Sequence, residues 1–279
     1  MKKSLGLLIL GLLGLSLTSC ISGEVYADAD KYLAGDQTYD EYITSLDIDW
    51  VSGTLTLVED ETIEGVKIVE DTNLTREGEL VHSYLHDGKL NIHFFASGHT
   101  SFGMKIRKDL TVTYHPGLSN LKVDITSGTF NAETLTADKV SIDMTSGSSN
   151  IGSIISQEVD VDFTSGNLKI ERVSTNGFDA ELTSGKLNVQ HITANSFNVD
   201  MTSGDMKVGF DEISKASFEI TSGSIDMTLP EAGGKVKVNK TSGSVKTERQ
   251  CSVSDNLYTF DEGSADIKVK MTSGKLTIR

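Results

Sequence analysis

Along the second half of the chain, apolar side chains recur in short alternating runs. Val159, Val161 and Phe163 precede Thr164; Phe178, Ala180 and Leu182 precede Thr183; Phe197, Val199 and Met201 precede Thr202. Period-two alternation puts such side chains on one face of a strand. Four and six positions past each Thr, apolar residues return as Leu168 and Ile170, Leu187 and Val189, and Met206 and Val208. Each unit therefore predicts two short strands joined by a bend. The bend carries one tripeptide, Thr-Ser-Gly, beginning at Thr126, Thr145, Thr164, Thr183, Thr202, Thr221, Thr241 and Thr272. Its spacing is 19 residues five times running, then 20, then 31. Glycine suits a sharp bend because it takes positive φ without a Cβ penalty.

A fixed period near 20 residues predicts a solenoid in which each repeat is one coil stacked on the last. Five inward apolar side chains offer a coil about 8–15 kcal/mol of gross burial, against about 1–2 kcal/mol of backbone entropy for each residue ordered. A lone coil does not fold; the stack does. The expected fold is all-β, a single-stranded β-solenoid over residues 118–279 behind a less regular β region over 46–117. Near the start, Leu46, Ile48 and Trp50, then Val51-Ser52-Gly53, then Leu55 and Leu57 reproduce the later apolar columns, so an outlying coil sits there. About ten coils at about 4.8 Å per layer make a rod about 50 Å long.

The rest of the chain is read around this array. Residues 1–19 predict a signal peptide: Lys2 and Lys3, an apolar run from Leu5 to Leu17, then Leu17-Thr18-Ser19-Cys20. That ending resembles a bacterial lipobox, which implies lipidation of Cys20 and a mature protein tethered to a membrane from outside the cytoplasm. Residues 20–45 are polar and acid-rich and predict a tether. Asp87-Gly88 predicts a hairpin over Val81–Phe94, with Leu85 facing Leu90 and His82 facing His93 on its polar side. Five of the six histidines fall between His82 and His115, and a metal site on His82 and His93 competes there with a solvated strand face. Pro116 and Pro230, the two prolines, stand at breaks in the pattern, as stacked strands need every N–H. The 31-residue gap predicts a loop inserted between Thr247 and Ser264, and the last coil, Ile267 to Ile278, an uncapped strand edge at the rod's end.

Charge narrows the function. The formal net charge is −15, and loss of Lys2 and Lys3 makes it −17, a surface that repels nucleic acid and anionic lipid. The segment from Lys235 to Arg279 runs the other way, with nine basic and five acidic residues. Cys251 is the remaining thiol after Cys20, so neither an intramolecular disulfide nor a thiolate zinc site is expected.

The repeat itself suggests chemistry. Two residues before each of the first six Thr stands an acid: Asp124, Asp143, Asp162, Glu181, Asp200 and Glu219, with Asp49 in the early coil. Stacked about 4.8 Å apart, neighbouring carboxylates repel by about 1 kcal/mol in water. Water and salt relieve this, as do cations such as Lys169 and Lys207; calcium, which favours several carboxylate oxygens, is the sharper candidate. The Thr column beside it suits strand stacking. The Ser column turns inward or bonds the bend backbone. A catalytic reading finds eight equivalent positions where chemistry needs one asymmetric constellation, and the inserted loop's Asp255, Tyr258, Asp261 and Glu262 are its best alternative. The chain reads as a non-enzyme. At the rod's end Lys268, Lys270, Lys275 and Arg279 would blunt the strand edge or dock an anionic envelope polymer.

With Trp50-Val51-Ser52-Gly53, Asp109-Leu110-Thr111-Val112-Thr113 and the Thr-Ser-Gly ladder, nearly the whole mature chain resembles DUF4097, a bacterial family of candidate adhesins of unknown function. The resemblance implies a single-chain β-solenoid exposed at the cell envelope. Ser149 departs from the pattern by replacing an apolar residue. The expected function is a non-enzymatic envelope module that contacts an envelope polymer, glycan or surface protein. Since some relatives are associated with envelope stress responses, the competing expectation is a regulatory or sensory protein acting through a protein partner.

Overall fold

A computed structural model describes residues 24–100 and 106–279. The leader and Cys20 lie outside the described residues. The described chain is a β-solenoid with two short 3-10 turns and no α-helix.

Each regular coil is three-sided, one side more than the sequence pattern predicts. In Thr129–Met144 the buried positions are 130, 132, 135, 137, 140, 142 and 144. Alternation slips by one residue at Glu133 and again at Asp138, and the parallel register with Ser148–Phe163 is interrupted at the same two places. These slips are corners, and Thr-Ser-Gly is the third. The middle side was hidden because its second inward position is small or polar: Ala137, Ser156, Thr175 and Ala194. Ser156 and Thr175 are buried without loss because they turn the corner. The Ser156 hydroxyl lies 2.9 Å from the Asp138 carbonyl and 2.6 Å from that of Glu158; the Thr175 hydroxyl lies 3.0 Å from the Gln157 carbonyl and 2.9 Å from that of Gly177. Ser149 is also buried, its hydroxyl facing the Met144 sulfur at 3.7 Å.

At the Thr-Ser-Gly corner, glycine is required. Gly185 has φ +110°, and a Cβ there would lie 2.6 Å from the Gly166 carbonyl oxygen. The Ser hydroxyl donates to the Thr carbonyl of the coil below, at 3.1 Å from Ser146 to Thr126 and 3.0 Å from Ser184 to Thr164. The Ser column thus bonds the bend backbone, one of its two expected roles.

The corner glycines also reveal the order of the coils. Each faces the carbonyl of its neighbour in the series Gly53, Gly128, Gly147, Gly166, Gly185, Gly204, Gly223, Gly274, Gly243. The last two are out of chain order. After Thr228 the chain skips one layer, builds the end coil from Gly234–Lys240 and Ser244–Thr247, and returns to fill the slot it left. Ala265–Met271 pairs with residues 215–220 on one side and with Gly234–Lys240 on the other. Lys275–Ile278 likewise lies between Ser224–Thr228 and Ser244–Thr247. The expectation that the last coil forms an uncapped end is therefore corrected. The expected inserted loop is a hairpin instead. Leu257–Phe260 runs antiparallel along the outer edge of Gly234–Lys240, and Asp255 and Asn256 take the two positive-φ positions of its turn.

The other end repeats the device. The early coil, Ser45–Trp50 and Thr54–Glu59, is flanked by Leu118–Ile125 and the first side of Thr129–Met144 below, and by Lys89–His93 and Lys108–Tyr114 above. The predicted hairpin forms in the predicted register, Leu85 opposite Leu90 and His82 opposite His93. Residues 24–45, expected as a tether, are folded over this end: Leu33–Ala34 pairs with the hairpin and Gln37–Tyr39 with Val66–Thr72. Their acid-rich composition masks Tyr26, Tyr32 and Tyr39, which supply the contacts. His82 and His93 are consequently buried, 7% and 8% exposed, and not on a solvated face.

Candidate functional site

The parallel stacking carries each acid of the repeat onto the next in register: Asp49 beside Asp124, Asp124 beside Asp143, and so on through Asp162, Glu181, Asp200 and Glu219. All seven belong to the side of the coil that enters the Thr-Ser-Gly corner, so the Thr column runs parallel to them. From Asp124 onward, together they line a groove of about 1010 Å³.

The column has basic ends. At its head the register partner of Asp49 is His93, with Nδ1 2.9 Å from the Asp49 carboxylate. At its foot the partner of Glu219 is Lys270, and the two form an ion pair. Lys270 reaches that place because the last coil fills the skipped layer; strict chain order would have put Asn239 there. Lys122 supplies a cation to the upper column, at 2.7 Å from Asp124 and 3.6 Å from Asp143. Lys169 and Lys207, expected to relieve the column, sit on a different side of the coil, at the register positions of Asn150 and Asn188.

Crowding shows in the protonation of the upper column. Burial and the adjacent Asp124 carboxylate push Asp143 up to about 6. Asp124 lies below its ordinary range: burial opposes this, but hydrogen bonds from Asp143 and Lys122 outweigh it. The pair thus differs in proton affinity, Asp143 holding a proton more tightly than Asp124. Burial raises Asp49, against the attraction of the adjacent His93 ring.

Three metal-binding groups come within 4.8 Å of one another at two places among the described residues, Glu24/Asp49/His93 and Asp47/Asp49/Asp124. Both are at the head of the column. Asp162, Glu181, Asp200 and Glu219 form a line, not a cage, and His82 turns away from His93 to the Leu80 carbonyl at 3.0 Å.

The basic residues expected at a free edge are dispersed. Arg279 pairs with Asp226 and with Glu248, 2.5 and 2.8 Å away. Lys268 lies between Ser217 and Lys237, and Lys275 between Ser224 and Ser244, inside the stack in each case. Of the inserted segment's candidates, Asp255 and Asp261 take positive-φ turn positions, Asp261 pairs with Arg249, and Tyr258 belongs to the hairpin strand; they form no common site.

Sequence reasoning missed Glu24, placed in the tether, and Lys108. The Lys108 side chain is fully buried, pairs with Glu70 at 2.5 Å, donates to the Glu79 carbonyl at 2.7 Å and lies over the rings of Trp50, Phe94 and Phe95. Burial depresses it to about 8. The early coil's Gly53 packs on the Lys108 backbone, so this buried pair stitches the end layer to the first coil. The alternation of its strand did carry a signal, since Lys108 shares the inward parity of Leu110, Val112 and Tyr114, whereas its neighbour Arg107 is exposed.

Among the described residues no helix is long and apolar enough to cross a membrane. Solved structures share the fold at low identity. A Bacteroides fragilis protein described as a candidate adhesin is 14% identical, covers 89% of this chain and 97% of its own, and superposes with a TM-score of 0.55. A candidate adhesin from Parabacteroides merdae gives 14%, 89%, 96% and 0.54; a Parabacteroides distasonis protein described as a candidate lipid-binding protein gives 14%, 88%, 97% and 0.53. No curated protein matches the chain. The family model described as Toastrack DUF4097 matches residues 43–279. The chain belongs to the Toastrack DUF4097 family.

Proposed function

We propose that this protein is a non-enzymatic binding module of the bacterial cell envelope, anchored through lipidated Cys20, that holds an extended cationic ligand in its acidic groove. One observation carries the reading: seven carboxylates stand in a single register column beside a row of threonine hydroxyls, closed by His93 at one end and Lys270 at the other. A repeated face suits a repeated ligand, since many weak contacts add through effective concentration. Ammonium groups spaced along a chain, as in a lysine-rich segment of a surface protein, match it in charge and shape. The adhesin descriptions of the Bacteroides fragilis and Parabacteroides merdae structures agree with a surface binding role.

The test is co-sedimentation of the protein with immobilised oligolysine and with isolated envelope polymers, at low and high salt. Saturable capture by oligolysine that fades as salt rises, and that is lost in the triple variant Asp162→Asn, Glu181→Gln, Asp200→Asn, supports the proposal. Equal capture of the triple variant overturns it. Salt-insensitive capture of an intact protein partner in place of either polymer would favour the regulatory reading.

A further inference from the structure

We infer that Glu24, Asp49 and His93 form a binding site for a divalent transition-metal ion of the zinc type at the head of the groove. This inference is independent of what the groove holds. The His93 ring is held by two tyrosines. Tyr26 stacks on it with centroids 4.0 Å apart and planes 7° apart, Tyr32 lies against it, and the Tyr32 hydroxyl is 3.4 Å from Nε2. The other nitrogen, Nδ1, is buried and faces two carboxylates, 2.9 Å from Asp49 and 3.3 Å from Glu24, yet neither oxygen lies in line for a hydrogen bond. The nitrogen thus faces both carboxylates while its own hydrogen-bonding capacity stays unused.

The chemistry of the donors selects the occupant. One imidazole nitrogen and two carboxylate oxygens, with no thiolate, suit zinc and its neighbours in the first transition row; calcium and magnesium favour all-oxygen sets. The Tyr32 hydroxyl on Nε2 is the outer contact that orients a ligating imidazole. No lysine or arginine among the described residues pairs with Glu24 or Asp49, whereas neighbouring Asp47 and Asp124 are taken by Lys89 and Lys122. A cavity of about 290 Å³ opens beside the three groups, lined also by Tyr26 and Trp50, and leaves room for a water or a further ligand on the ion. Glu24 belongs to the N-terminal segment and Asp49 to the first coil, so the ion clips that segment to the rod.

The full chain, stripped with chelator, is titrated with zinc chloride at pH 7.5 against a chromophoric zinc indicator. The expected result is one zinc per chain and a zinc-dependent rise in melting temperature. Glu24→Gln and His93→Gln each weaken uptake at least about tenfold, while Asp162→Asn, in the middle of the column, leaves it unchanged. Glu24 lies in the peripheral N-terminal segment, so Glu24→Gln carries the test if the buried His93→Gln substitution prevents folding. Absence of stoichiometric uptake by the unsubstituted chain, undiminished uptake by Glu24→Gln, or equal loss in Asp162→Asn overturns the assignment.

Discussion

Gly185→Ala and Gly177→Ala place the same methyl group in one 19-residue stretch at positions of opposite character. Gly185 is the corner glycine of its coil, with φ +110°; the added Cβ meets the Gly166 oxygen at 2.6 Å, the Gly166 nitrogen at 2.9 Å and the Phe163 ring at 2.9 Å. Backbone strain for an L-residue in this region costs about 1–3 kcal/mol. Overpacking against a backbone that cannot rotate away costs about 1–3 kcal/mol more. Gly185→Ala is therefore expected to destabilise by about 2–6 kcal/mol. Gly177 has no positive φ, and its Cβ would meet only the Ser196 hydroxyl oxygen at 3.5 Å; replacing a strand glycine there is neutral or stabilising by about 0.4–1 kcal/mol. Urea unfolding followed by circular dichroism measures both. Hydrogen exchange localises the first, because the Lys186 and Asp205 amides donate to the Gly166 and Gly185 carbonyls across this corner. If the two variants unfold within about 0.5 kcal/mol of each other, the stacked-corner argument is wrong.

Two further outcomes follow from the charges. Asp143 has a folded pKa of about 6 against an ordinary value of 3.8, so its ionisation disfavours the folded state above pH 6, and the penalty disappears as pH falls towards 4. Asp143→Asn should raise the melting temperature at pH 7.5 and have no effect near pH 4; a gain that grows on acidification contradicts this sign. Lys108→Met leaves Glu70 buried without its partner and should cost about 3–5 kcal/mol in urea unfolding, with Glu70→Gln on the same chain recovering part of the loss.

What the sequence disclosed was whatever repeats in register. The corner, two of three sides, the acidic column and the Asp87-Gly88 hairpin are each fixed by a few residues close in the chain. The middle side escaped because Ser156 and Thr175 are inward yet polar, and their hydroxyls are satisfied by corner carbonyls that no local pattern reveals. The folded N-terminal segment escaped because its acids dominate its composition while three tyrosines make its contacts. The order of coils was illegible for a deeper reason. Repeats with the same inward pattern pair equally well with one another, so nothing near Met271 states that its neighbours are Ile220 and Lys240. The long return through the 252–260 hairpin decides it. Lys270 at the column's foot follows from that placement, and His93 with Glu24 at its head from the folding of the N-terminal end, in neither case from spacing.

The coil order decides which residue closes the foot of the groove, and paired cysteines test it directly. In a chain with Cys20 and Cys251 replaced by Ser, Ser217→Cys is combined either with Lys268→Cys or with Lys237→Cys. Ser217 is in register with Lys268, and Lys268 with Lys237. The first pair is thus one layer apart, about 4.8 Å, and the second two layers apart, beyond the roughly 7 Å that a disulfide spans. Mild oxidation should close the first pair rapidly and leave the second reduced. Closure of the Ser217/Lys237 pair in preference to the Ser217/Lys268 pair would mean that the coils stack in chain order, and Lys270 would lose its place at the foot of the column.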